Sequence, residues 1–293
     1  MRDIHSIVAR GEQDRIANGL DLPAYLALPH MSGSSLNQPS PKTPTVKHMR
    51  SHYETNTKVT DPMRVGAATD SLLFDYLVPA RRDGCDLVDA VDEFDADWPV
   101  FGKTRKGEVW DEFHDEHGEN YLRTYDERQE IIAMLNAVVA DPCAARYWTE
   151  GVAQCTTLCT ENGLLFKGRP DWVCDDAIVD LKTTARIDRC SSTTFSLGYH
   201  TKLALYRRWW RQLTGVEKPC VLIFVESQPP FDVAVVQVDV ATLMLAEEKA
   251  IDRIRSLREA IDRDVWPGVA NGQEMPIEVP WWEMEDAQDQ RPA

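Results

Sequence analysis

Cysteine is scarce and odd in number. Cys85, Cys143, Cys155, Cys159, Cys174, Cys190 and Cys220 are scattered through 293 residues, so no disulfide framework is expected and the thiols read as reduced. No stretch approaches the roughly eighteen uninterrupted apolar residues that cross a bilayer. The start, Met1-Arg2-Asp3-Ile4-His5-Ser6, lacks the basic-then-apolar layout of a signal peptide. The expectation is a soluble cytoplasmic protein without membrane contact. Positive charge is in deficit: 32 Lys and Arg stand against 48 Asp and Glu, a net charge of -16. That argues against coating nucleic acid through bulk charge. It leaves room for a locally basic cleft, and for clustered carboxylates that hold cations. No phosphate-binding Gly-rich signature is present, so no built-in ATP motor is indicated. Cys155 and Cys159 have no second pair at suitable spacing, which argues against an iron–sulfur cluster.

What remains is an ordinary globular composition, 43% hydrophobic and 27% charged, enough for one sizeable core or two small ones. Residues 1–44 read as an irregular N-terminal arm, because Ser32-Gly33-Ser34-Ser35 is followed by Pro39, Pro41 and Pro44. A single domain is expected over 45–285 and a tail over 286–293. After Pro44, the basic run Lys47, His48, Arg50, His52 suggests a short helix. The small residues from Gly66, followed by Leu72-Leu73-Phe74, suggest a buried one. Residues 83–119 are acidic and rich in turn formers, and read as a solvated excursion in which His114 and His117 are surface residues. Asp126 to Ala140 has acids in its first turn and an apolar face, and Asp141-Pro142 ends that helix. From Cys155 short apolar runs alternate with turns, as in a β-meander. A helix over Phe195 to Leu213, two strands around Val221 and Val233, and a long helix from Ala241 complete an α/β domain with a central mixed β-sheet flanked by helices.

The most informative stretch is Lys167-Gly168-Arg169-Pro170-Asp171, then Ile178-Val179-Asp180-Leu181-Lys182-Thr183-Thr184. Asp180 and Lys182 are two apart, so in a strand they leave one face, and a short turn brings Asp171 beside them. Mg²⁺ takes hard oxygen ligands from one or two carboxylates and keeps room for waters and a substrate phosphate. A lysine there could orient or help deprotonate the attacking water. The same residues would equally serve as a turn cap and a cross-face ion pair. Context separates the two: an exposed pair at a strand end contributes only about 0–1 kcal/mol, whereas two buried carboxylates are costly without a cation between them.

These motifs resemble those of the RecE-type exonucleases (exonuclease VIII) of the PD-(D/E)xK nuclease superfamily, over about Met31 to Glu283. The segment Glu161 to Asp171 is similar to that family's Thr-Gly-…-Arg-Pro-Asp hairpin, and Asp180-Leu181-Lys182-Thr183-Thr184 to its Asp-Val/Leu-Lys-Thr-Thr strand. Tyr199-His200-Thr201-Lys202-Leu203-Ala204-Leu205-Tyr206 is similar to its Tyr-His-x-Gln-x-Ala-x-Tyr helix. The resemblance implies that Asp171 and Asp180, with the carbonyl of Leu181, bind Mg²⁺ or Mn²⁺, and that Lys182 serves the water. It implies DNA contacts from Arg169, Thr183, Thr184, Tyr199, Lys202 and Tyr206. It further implies 5′-to-3′ resection of linear double-stranded DNA to leave 3′ single strands for recombination, a homo-oligomeric ring, a single-strand annealing protein as partner, and a phage or prophage origin.

Three positions depart from the family pattern. Asp70 stands where the family has a metal-site His, Gln154 where it has Glu, and Lys202 where it has Gln. One reading keeps the carboxylate number at three through Asp70, with Gln154 behind the ligands. The other is a catalytically weakened DNA-binding or scaffold protein on the same fold; a structure-specific endonuclease is a third. Lys202, Arg207, Arg208 and Arg211 make the Tyr199 helix basic, as a phosphate-backbone contact requires. Tyr206, Trp209 and Trp210 read as packing residues more readily than base-stacking ones.

Overall fold

The structure, a computed structural model, describes residues 2–37, 45–55, 59–83, 87–148 and 150–278. Pro39, Pro41, Pro44, Cys85 and the expected tail lie outside those residues. The N-terminal arm is built of short pieces, as its turn formers imply: β1 (Arg15–Ala17), α1 (Leu22–Ala27) and β2 (Met31–Ser32). Helix α2 (Val46–Glu54) opens on Thr45, whose side chain accepts from the His48 N–H. Helix α3 (Asp61–Ser71) carries Pro62 in its first turn and runs into a π-helical turn, Leu72–Leu77. Then come α4 (Val78–Asp83), α5 (Leu87–Asp97), α6 (Glu108–His117), α7 (Tyr125–Ala140) and α8 (Pro142–Ala145). The expected excursion over 83–119 is therefore corrected to two helices. Val91, Phe94 and Trp98 recur at helical spacing, Phe94 and Trp98 are buried, and their rings stack 6.0 Å apart. The many acids on the outer face hid that stripe.

Next come β3 (Gly151–Ala153), β4 (Thr156–Glu161), β5 (Leu164–Gly168), β6 (Trp172–Cys174) and β7 (Ile178–Thr184). Helices α9 (Cys190–Ser196) and α10 (Tyr199–Thr214), parted by the left-handed Gly198, cross over to β8 (Cys220–Glu226), which pairs parallel with β7. Strand β9 (Val233–Val238) and α11 (Val240–Arg263) close the domain. The expected meander is divided between two sheets. Strands β4 and β5 join the arm in the order β1-β4-β5-β2, while β6 and β7 belong to the central mixed sheet, β3-β6-β7-β8-β9. Pro170 lies at the division, where a residue without an N–H cannot extend a ladder.

The central sheet is covered on both sides, which is why β8 reads as the unbroken apolar run Cys220-Val221-Leu222-Ile223-Phe224-Val225. Ile178, Leu222 and Phe224 pack with α10 and α11, and Val179, Leu181, Val221 and Ile223 with α3 and α7. By strand alternation Asp180 and Lys182 face the α10 side, level with Ile178.

The arm is fastened to this frame from β5. Lys167 Nζ donates to the carbonyls of Tyr25 (2.6 Å) and Leu28 (3.3 Å) and stands 4.5 Å from the centre of the Tyr25 ring. Burial pushes this lysine down to about 8. One residue on, a Cβ at Gly168 would come within 2.9 Å of the Tyr206 and Trp209 rings and 2.7 Å of Thr157 Oγ1. Gly168→Ala is therefore expected to cost about 1–3 kcal/mol through overpacking, read as a lower urea midpoint with unchanged slope.

Candidate active site

Strand β7 enters the core as Ile178-Val179 and emerges with Asp180, Leu181 and Lys182. Antiparallel pairing of Trp172 with Val179, carried one residue on, sets Asp171 across from Asp180. The two carboxyls are close enough to hydrogen-bond when one holds a proton. Asp171 Oδ2 accepts from the Leu181 N–H at 2.8 Å, and Lys182 Nζ lies 3.5 Å from that same oxygen. Lys182 Nζ also contacts Asp180 Oδ2 and donates to the Leu181 carbonyl at 2.7 Å. Lys202, reaching in from α10, donates to Asp180 Oδ1 at 3.0 Å. Asp180 is completely buried.

Burial sets the electrostatics. It pushes Asp171 up to about 6, with the nearby Asp180 charge adding to the effect. Asp70 on α3 is raised well above the ordinary carboxylate range, by burial first and then by Asp171. Burial alone would raise Asp180 as well, but the two lysines hold it below its usual value. Lys182 is raised, since Asp180 and Asp171 outweigh burial, and remains an ammonium at neutral pH.

The site opens into a cavity of about 840 Å³ whose wall includes Asp70, Asp171, Gln154 and Arg169. Sequence reasoning missed its other contributors: Asp21 and Leu22 from the arm, Asp75 and Tyr76 from the π-helical turn, and His117 from α6. The acidic pattern held no sign of the π turn, which presents Asp70, Ser71 and Asp75 to one space. His117, expected at the surface, is half-buried with its ring 4.6 Å from that of Phe113, and His114 lies 5.0 Å from Trp110.

Several expected contacts are placed elsewhere. Gln154, with a left-handed backbone (φ 46), spends its Oε1 on the Arg169 guanidinium, which also donates to the Leu20 carbonyl at 2.7 Å. Arg169 thus ties the arm to the site through its guanidinium. Tyr206 is buried, with its hydroxyl donating to the Arg169 carbonyl at 2.9 Å, and packs as core. The basic face of α10 is neutralised. Arg207 pairs with Glu217, Arg208 with Glu161 (2.6 Å) and Glu247 (3.0 Å), and Arg211 with Glu247 (3.1 Å). Glu161 and Glu247 lie far from α10 in the sequence, so charge counting along the helix did not show these pairs. Tyr199 lies over Lys182, its ring centre 5.4 Å from Nζ. Thr183 and Thr184 line a separate cavity of about 480 Å³ with Arg123, Ser227 and Gln228.

Residues 101–277 match the model of a family described as a PDDEXK-like domain of unknown function (DUF3799). The chain belongs to this family. The PDDEXK-like fold is seen also in the crystal structure of a "putative exonuclease" from Eubacterium rectale. It superposes with a TM-score of 0.54 at 15% identity, covering 87% of this chain and 92% of that one. No functionally curated protein matches the sequence. Among the described residues no helix is long and apolar enough to cross a membrane.

PD-(D/E)xK nucleases typically use divalent metals, and the donor set of this PDDEXK-like domain can be tested against one. Among the described residues no three of His, Cys, Asp and Glu stand together as a ready-made cage. Two carboxylates face each other, Asp70 acts on them from the same cavity, and the Lys182 ammonium lies against both. Both oxygens of the buried Asp180 lie against an ammonium, Oδ1 against Lys202 and Oδ2 against Lys182. Three carboxylates also face only two ammoniums. Clustered carboxylate oxygens and a shortage of positive charge fit a hard divalent cation. Asp171 and Asp180 would hold it, with Asp70 within electrostatic reach. The Leu181 carbonyl, expected as a further ligand, accepts from Lys182 here.

Proposed function

We propose that the protein is a Mg²⁺- or Mn²⁺-dependent exodeoxyribonuclease of RecE type, hydrolysing linear double-stranded DNA from 5′ ends and leaving 3′ single strands for recombination. The observation that carries this reading is the juxtaposition of Asp171, just before β6, with Asp180 and Lys182 on β7. A divalent ion held there supplies Lewis-acid shielding of a phosphate oxygen and acidifies water. The chain's own part follows from its protonation states. Lys182, held as an ammonium by the carboxylates, donates to and orients the attacking water; it is not a base. The Tyr199 ring limits its motion. Asp171, with Asp180, supplies the carboxylate oxygens that hold the ion beside that water. A ring of copies and a single-strand annealing protein are the assembly and the partner proposed with this activity.

One observation favours a second reading, a weakened nuclease acting as a DNA-binding scaffold: both oxygens of Asp180 already face lysine ammoniums. Incubation of linear and closed circular duplex with Mn²⁺ separates the possibilities. Loss of linear DNA by the wild type but not by Lys182→Ala, with circles surviving, is the expected result. Cut circles would point to an endonuclease, and identical behaviour of both proteins on linear DNA would favour the scaffold.

A further inference from the structure

Thr183 and Thr184 follow Lys182 directly on β7 and open into the cavity of about 480 Å³ beside the catalytic one. Asp61 and Pro62 of α3 line it, whereas Asp70 and Ser71 line the catalytic cavity. Each pair of positions is two and a half helical turns apart, so the cavities lie on opposite flanks of α3. At the crossing stands Gly66, where a Cβ would come within 3.9 Å of Thr183 Oγ1. With about 3.3 Å of strand per residue, Thr184 lies roughly 7 Å beyond Lys182, close to one nucleotide step along a DNA strand.

The wall is not built for phosphate. Asp61 takes Arg105 (2.9 Å) and Arg123 (2.7 Å), Glu127 takes the buried Arg64 (2.9 Å), and Glu130 accepts from Gln228 Nε2 (2.9 Å). Together with Asp126, these lining carboxylates outnumber the three guanidiniums, so no positive charge is in excess. Pro62, Val65 and Ala185 add apolar surface. Among the described residues the side-chain oxygens of Thr183, Ser227 and Gln228 make no hydrogen bond. Apolar walls with a few convergent hydroxyl and amide groups are the usual form of a small-molecule site, and this cavity has the size of one.

We propose that this cavity is a nucleoside subsite, which takes the nucleobase and sugar of the nucleotide next to the phosphate attacked beside Lys182. The charge balance disfavours a phosphate and suits the uncharged part of a nucleotide. The Thr183 and Ser227 hydroxyls donate or accept as the occupant requires, so the subsite grips a strand without selecting its sequence. A nucleobase seated here has left its stack and its partner, so the DNA is unpaired at this nucleotide. The proposal rests on the nuclease reading for what lies at Lys182, and adds to it how the strand is held one step away.

The test is fluorescence anisotropy of labelled linear duplexes with Ca²⁺ in place of Mn²⁺, alongside Mn²⁺-dependent hydrolysis, for wild type, Ser227→Trp and Gln228→Ala. Each duplex carries one abasic sugar, stepped through the first nucleotides of the 5′-ended strand. In wild type one abasic position is expected to weaken binding about tenfold, the loss of one set of nucleobase contacts, while its neighbours change binding little. Ser227→Trp fills the cavity. It is expected to weaken binding of intact duplex by a similar factor and to erase the abasic effect, with Mn²⁺ binding unchanged. Gln228→Ala, at the exposed rim, is expected to shrink the abasic effect at unchanged Tm, and decides the matter if Ser227→Trp does not fold. A wild type indifferent to every abasic position would overturn the proposal, as would an undiminished abasic effect in the folded variants. If hydrolysis stayed Mn²⁺-dependent in that case, the nuclease reading would stand without the subsite. Nucleobase-dependent binding with no hydrolysis under Mn²⁺ would keep the subsite and remove the nuclease. Absence of duplex binding by the wild type would remove both.

Discussion

Lys182→Ala is expected to slow hydrolysis of linear duplex DNA by about 10²–10⁴-fold, the range for a positioned proton-handling or donor group, with the loss in kcat and little change in KM. The ammonium touches both Asp171 and Asp180, and water could be neither aligned nor polarised from that point without it. Lys182→Arg should rescue poorly. A planar guanidinium is larger and delocalised, and the Lys182 side chain is only 14% exposed between its two carboxylates and the Tyr199 ring. The substitution also perturbs folding: breaking one arm of a buried ion pair costs up to about 3–5 kcal/mol, moderated here because Asp180 keeps Lys202. Rates are therefore compared at a temperature where urea midpoints show each variant folded. A folded Lys182→Ala within threefold of wild type would remove Lys182 from the chemistry.

The parts of this site that could be read in the sequence are those set by short-range geometry. Strand period alone placed Asp180 and Lys182 on one face, and the hairpin brought Asp171 across, because a tight antiparallel connection leaves few registers. Long-range pairing was another matter. That Arg208 and Arg211 answer Glu161 and Glu247 depends on α10 lying against β4 and α11, which no local pattern encodes. Arg169 and Gln154 likewise satisfy each other across a turn whose left-handed residue is Gln, with no Gly or Asn to mark it. Phe94 and Trp98 went unseen because acids dominate composition while packing depends only on spacing. The arm was read as irregular from its turn formers and is made of short pieces. Its pairing with β4 and β5 follows from strand edges that need partners, a demand that becomes visible only once the sheet exists.

In the absence of metal, Asp171→Asn is expected to stabilise the protein near pH 7.5 and, in the same stroke, to abolish its response to Mn²⁺. Burial and Asp180 push Asp171 up to about 6, so the folded chain binds this proton more tightly than the unfolded chain does. The resulting penalty is fully present above pH 6, shrinks as the pH falls through 6, and is gone below the ordinary carboxylate value. Asp70, also raised, acts in the same direction. Asp180, held below its usual value, titrates at lower pH and does not oppose the trend in this window. From about pH 7.5 to 5.5 the Asp171 contribution is about 1 kcal/mol, or roughly 2–4 °C in Tm for a domain near this size. Acid also relieves the self-repulsion of a chain with net charge -16, so the informative quantity is the difference in pH slope between wild type and Asp171→Asn. Mn²⁺ at a hundred times its Kd adds about 2.7 kcal/mol at pH 7.5 and less at pH 5.5, where the proton competes for the same oxygens. If Asp171→Asn instead lowered the metal-free Tm and kept the full Mn²⁺ gain, the carboxylate would be a turn cap. The facing pair Asp171 and Asp180 would then owe its stability to Lys182 and Lys202 alone.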